Sequence, residues 1–77
     1  MKIYQVWYSR SNSALLSTET KCYGVYSSKE EAQRAYYRCY RKCKDFEEAN
    51  PDTKVQYRVV DKIYENELDT DVEKISN

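Results

Sequence analysis

The sequence contains no histidine, one glycine and one proline in 77 residues. Without histidine the chain lacks the commonest metal ligand and the side chain whose ordinary titration falls nearest neutrality. A single glycine, Gly24, cannot form a glycine-rich phosphate cradle. There is no G-x-S-x-G nucleophile turn and no carboxylate pair spaced for acid–base work. These absences point to a protein with no catalytic residues, no cofactor and no metal. An excess of one charge sign is missing too: Lys and Arg number 13, as do Asp and Glu. Any pull toward nucleic acid must therefore be local. No apolar run approaches the roughly 20 residues of a membrane-spanning helix, and the opening MKIYQ is polar where a secretory signal would be apolar. The expectation is a cytoplasmic protein with no membrane partner, whose odd set of cysteines, Cys22, Cys39 and Cys43, stays reduced.

What is present suits one small domain. Charged residues make up 34% of the chain and apolar ones 40%, so a thin core under a charged skin is expected. Nine tyrosines stand against one tryptophan and one phenylalanine. Tyrosine buries its ring while keeping its hydroxyl wet, which suits the rim of such a core.

Residues 2–8, KIYQVWY, mix β-branched and aromatic side chains, with Ile3 and Trp7 on one face and Tyr4, Val6 and Tyr8 on the other. That pattern predicts a central or doubly covered strand. Residues 9–20, SRSNSALLSTET, read as a long connection in which Leu15 and Leu16 open the next strand. KCYGVY, 21–26, is the second strand, where Gly24 marks a bulge or close packing.

Ser28 followed by Glu31 forms an S-x-x-E capping box, and Glu30 and Glu31 place negative charge at the positive end of a helix dipole. From Lys29 to about Ala49 the apolar residues Ala32, Tyr36, Cys39, Cys43 and Phe46 recur at helical spacing, with Ala35 and Tyr40 at the edges of the stripe. NPDT ends the helix, since Pro51 lacks an amide hydrogen and disfavours helical geometry at Asn50. In 54–64 Val55, Tyr57 and Val59 alternate with Gln56 and Arg58, giving a third strand with one wet face. Leu68, Val72 and Ile75 fit a helical spacing, but ENELDTDVE also alternates, and an extended segment is the preferred reading. The fold expected is α+β, a mainly antiparallel sheet of three or four strands covered by one long helix in ββαβ order. Residues 1–77 form a single domain, with a core over 1–64 and an acidic segment over 65–77.

IYQVWY, YGVYSSKEEAQRAY and YRVVDKIYENELD together resemble a family of short, uncharacterised bacterial and phage proteins. The likeness spans most of residues 3–69 and is most specific from Gly24 to Ala32. It implies the same fold and a phage or mobile-element origin, and it brings no activity or site. The basic middle of the helix, RAYYRCYRKCK, departs from the family pattern.

Three constellations are candidates for chemistry. Cys39 and Cys43 fall on the buried helix face and could meet Cys22 from the sheet; with no fourth ligand, their expected role is core packing and not metal binding. Arg34, Tyr37, Arg38, Arg41 and Lys44 cluster on the opposite helix face, with no acid between Gln33 and Lys44. Guanidinium forks and an exposed tyrosine suit either an acidic protein surface or nucleic acid. Glu65, Glu67, Asp69, Asp71 and Glu73 occupy alternate positions, so an extended chain would project them from one side at about 6.7 Å intervals, as a nucleic-acid mimic would. The leading expectation is a non-enzymatic binding protein that docks on a host protein and inhibits or redirects it, as an anti-defence inhibitor does. The alternatives are a small nucleic-acid-binding accessory protein using the basic face, and a self-assembling module in which that face meets another copy's acidic segment. A monomer or small homo-oligomer fits each of them.

Overall fold

The apolar alternation at the start of the chain produces a strand that outruns its apolar part. In the computed structural model, which describes residues 1–67, β1 spans Lys2–Asn12 and is followed by β2 (Ser17–Tyr26), α1 (Lys29–Ala49), β3 (Val55–Val59) and β4 (Tyr64–Glu67). The sheet is antiparallel throughout, with β1 at its centre. β2 pairs along one side of β1; β3 and β4 share the other, β3 against Tyr8–Asn12 and β4 against Lys2–Gln5. The α+β class holds, and the order is ββαββ.

Residues 9–20 are not a long connection. Their outer parts extend β1 and β2 into a hairpin closed by Ser13–Leu16. The Asn12 side-chain oxygen accepts from the amides of Ala14 (3.0 Å) and Leu15 (3.2 Å), which shapes the turn. Leu16 takes the left-handed conformation, with φ 51°, that a glycine would adopt more readily. Leu15 and Leu16 therefore sit at the exposed tip and do not open a strand.

Gly24 marks both a bulge and a close approach. Val6 faces Gly24 but Trp7 faces Cys22, so Tyr23 is the extra residue on β2. A Cβ at Gly24 would lie 2.6 Å from Cζ of Tyr26, whose ring covers that backbone. On the other side of β1 the strand expected over 54–64 is broken. Between the pairs Gln5–Tyr64 and Tyr8–Val59, two residues of β1 face the four from Val60 to Ile63. The Val60 amide still donates to the Trp7 carbonyl at 2.8 Å, and the Lys62 amide turns back to the Val60 carbonyl at 2.7 Å.

The helix begins where the capping box places it: Ser28 is extended and its hydroxyl accepts from the Glu31 amide at 3.1 Å. It ends at Asn50, whose backbone and side-chain nitrogens both donate to the Phe46 carbonyl at 3.0 Å. Ala32, Ala35 and Cys39 form its buried seam, so Ala35 lies at the centre of the stripe and not at its edge. These small side chains let the helix sit low on Val6 and Val59, which complete the core. Tyrosines 4, 8, 23, 26 and 36, with Cys43 and Ile63, pack around it. The second face of the sheet carries Ile3, Gln5 and Trp7 and is covered by no described element, so of the two alternatives for β1 the central strand holds and the doubly covered one does not.

Candidate functional site

Seating the helix on Ala32, Ala35 and Cys39 turns the residues half a turn away toward solvent. Arg34, Tyr37, Arg38 and Arg41 follow the i, i+3, i+4, i+7 spacing of one helix face, and Lys44 continues it a turn later. All five are exposed, Tyr37 at 62%. The structure thus brings the five expected residues together as one ridge.

The ridge is supported from below. Tyr37 stands edge-on to Tyr36, with ring centroids 5.5 Å apart and planes at 88°. The Tyr36 hydroxyl donates to the Asp61 carboxylate at 3.0 Å, tying the helix to the segment between β3 and β4. Burial raises the Tyr36 phenol above its ordinary pKa, and the hydrogen bond and charge of Asp61 push the same way. Tyr36 consequently remains a neutral donor well into the alkaline range. Arg34, Arg38 and Arg41 make no hydrogen bond or ion pair with any described residue, while the Lys44 ammonium lies 5.8 Å from the centre of the Tyr40 ring. Glu30 precedes the basic stretch, and Asp45 and Glu48 follow it on the same face, so the positive patch is bounded at both ends.

The acidic row has a different standing. Glu65 and Glu67 belong to β4; Glu65 pairs with Lys2 at 3.0 Å and Glu67 with the terminal ammonium of Met1 at 3.1 Å. The hydrogen bond to Glu65, then its charge, raises the Lys2 pKa. These two carboxylates fasten β4 to the start of β1. Asp69, Asp71 and Glu73 lie outside the described residues.

The three cysteines divide. Cys39 is buried and Cys43 half-buried beneath the helix, whereas Cys22 is exposed on the sheet's open face, because the bulge at Tyr23 reverses which way β2 presents it. Cys22 is thus not part of the core. Burial, reinforced by Cys43, pushes the Cys39 thiol up to about 11, and burial likewise raises Cys43. Both are protonated at neutral pH and are weak nucleophiles.

One surface was missed by the sequence reading: the open sheet face, where Gln5, Trp7, Thr20, Val60 and Tyr64 line a shallow depression of about 280 Å³. The Trp7 ring nitrogen donates to Gln5 at 3.2 Å. The signal was the parity of Ile3 and Trp7, which gives the face but not what lies over it. Among the described residues no helix is long and apolar enough to cross a membrane. The chain matches no known family model, no curated protein and no solved structure.

Proposed function

We propose that the chain is a non-catalytic binding protein that docks on an acidic surface of another protein through the ridge of Arg34, Tyr37, Arg38, Arg41 and Lys44. The observation that carries this reading is the pairing of an exposed, ring-backed Tyr37 with three guanidinium groups that have no partner among the described residues. Tyrosine and arginine are the side chains that dominate interface energies, and here their backbone is already ordered. The resemblance centred on Gly24–Ala32 extends the proposal to a phage or mobile-element product that inhibits or redirects a protein in the host cytoplasm. Nucleic acid is the competing ligand for the same cations. The bounding acids Glu30, Asp45 and Glu48 and the zero net charge count against it, because backbone binding grows with each phosphate neutralised.

Affinity capture from host lysate, with and without nuclease, tests the proposal. A protein retained after nuclease treatment, and lost when the bait carries Tyr37→Ala with Arg41→Ala, is the expected result. Capture that disappears with nuclease, or submicromolar binding of the purified chain to random oligonucleotides at physiological salt, would transfer the ridge to nucleic acid.

A further inference from the structure

Among the described strands β2 bonds only to β1, so the outer edge of β2 presents backbone donors and acceptors that no described strand pairs. Such an edge is a template for another strand. The bulge at Tyr23 breaks its regularity toward Tyr26, which leaves Ser17–Cys22 as a regular run of exposed residues without glycine or proline. Within it Glu19 and Lys21 lie on the helix side of the sheet, opposite Arg10 and Tyr8 of β1, while Thr18, Thr20 and Cys22 lie on the open side.

We infer that this edge is a homodimer interface in which Thr18–Cys22 pairs antiparallel with the same segment of a second copy, about a two-fold axis between the two copies of Thr20. Two identical antiparallel strands in one continuous sheet are related by an axis normal to the sheet, and facing residues share a side, so the axis must pass between the two copies of one residue. Charge selects which one. An axis at Glu19 or at Lys21 sets that residue against its own copy, and like charges directly opposite are destabilising. An axis at Cys22 brings the bulged Tyr23 into the ladder, and one at Thr18 gives neither charge an opposite partner. Only the axis at Thr20 sets Glu19 against the second copy's Lys21, twice by symmetry, with Thr20 facing Thr20 between them. In each copy Glu19 lies 3.7 Å from Arg10 of β1 and 3.9 Å from Lys21, all on the helix side of the sheet, so the second copy's Lys21 must draw the exposed Glu19 carboxylate outward from these contacts. The helix packs most heavily on β3, on the far side of β1, and the β2 residues in the core around it are Tyr23 and Tyr26, while Ser17–Cys22 stay exposed. The dimer does not depend on what the helix ridge binds.

An interface of one strand pair is small, so the dimer should be reversible and depend on concentration. Sedimentation equilibrium over a concentration series should show it. Glu19→Lys alone and Lys21→Glu alone should each weaken self-association by about tenfold, since each opposes like charges twice. The double variant should restore association, and an equimolar mixture of the two single variants should form heterodimers. Thr20→Cys, with Cys22→Ser to remove the native thiol, should cross-link on mild oxidation, because facing residues of an antiparallel pair stand within disulfide reach. This cross-link keeps the register testable should a charge reversal fail to fold. A chain that remains monomeric at millimolar concentration would overturn the inference. So would association indifferent to both charge reversals, association lost only on substituting Trp7 or Arg41, or an edge that takes up an extended segment of another protein but never a second copy.

Discussion

Replacing Val6 by alanine removes two methyl groups from the largest fully buried side chain among the described residues, at the point where β1 meets the Ala32–Ala35–Cys39 seam. At about 0.8 kcal/mol for each buried carbon the transfer loss is about 1.6 kcal/mol. A vacated space of about 50 Å³, at about 24 cal/mol for each Å³ that fails to collapse, adds about 1 kcal/mol. The expected destabilisation is thus about 2.5 kcal/mol, against a total stability of about 4–12 kcal/mol for a domain of this length. The comparison is Val25→Ala, which makes the same chemical change at a residue 55% exposed on the open sheet face, where about 0.5 kcal/mol or less is expected. Urea denaturation of both variants decides the matter, with the midpoint moving for Val6→Ala and the slope unchanged. Equal midpoint shifts in the two variants would refute the seating of the helix on the centre of β1.

Two further outcomes follow from the same packing. Ser28→Ala should lower stability by about 1 kcal/mol in the same denaturation experiment, because the Glu31 amide loses its acceptor, and no change would remove Ser28 from the cap. Stability should also fall in alkali: Tyr36 and Cys39 hold their protons more tightly folded than unfolded, so their contribution is whole below the ordinary values of 10.0 and 9.0 and is lost as pH rises through the raised ones, about 11 for Cys39. Thermal melts from neutral to strongly alkaline pH should show this decline, and Tyr36→Phe should be less stable at neutrality and decline less steeply; identical profiles would contradict the Tyr36–Asp61 link.

The helix was legible because local chemistry dictates it. Ser28 and Glu31 state its start, Asn50 and Pro51 its end, and the bounds follow whatever the rest of the chain does. Val55, Tyr57 and Val59 were legible for a similar reason, since each faces the helix and the residues between them face water. The hairpin was not, because Ser9 to Asn12 and Ser17 to Thr20 are polar on both faces of the sheet and have no apolar alternation to display. Its turn is shaped by the Asn12 side chain and a left-handed Leu16, and carries no glycine signal. The break between β3 and β4 was hidden because inserting two residues leaves the alternation in phase. A one-residue bulge has the opposite effect, and the one at Tyr23 placed Cys22 on the open face, away from Cys39 and Cys43. The ridge was visible as a helical stripe, but its support from Tyr36 and Asp61 joins residues 25 apart and depends on tertiary packing.

The central claim is that the helix ridge, and not the acidic segment, holds the partner. Its most direct test is the dissociation constant of the captured protein for three forms: the intact chain, Tyr37→Ala with Arg41→Ala, and a chain ending at Leu68. Circular dichroism should show all three folded, since both substitutions are at exposed helix positions and alanine favours the helix. Two interface anchors worth about 2 kcal/mol or more each predict a loss of at least about a hundredfold for the double variant. The shortened chain should associate more slowly and keep a complex within about fivefold of the intact affinity, as flexible carboxylates chiefly affect encounter. Full binding by the double variant and none by the shortened chain would contradict the account and move the site to Asp69, Asp71 and Glu73.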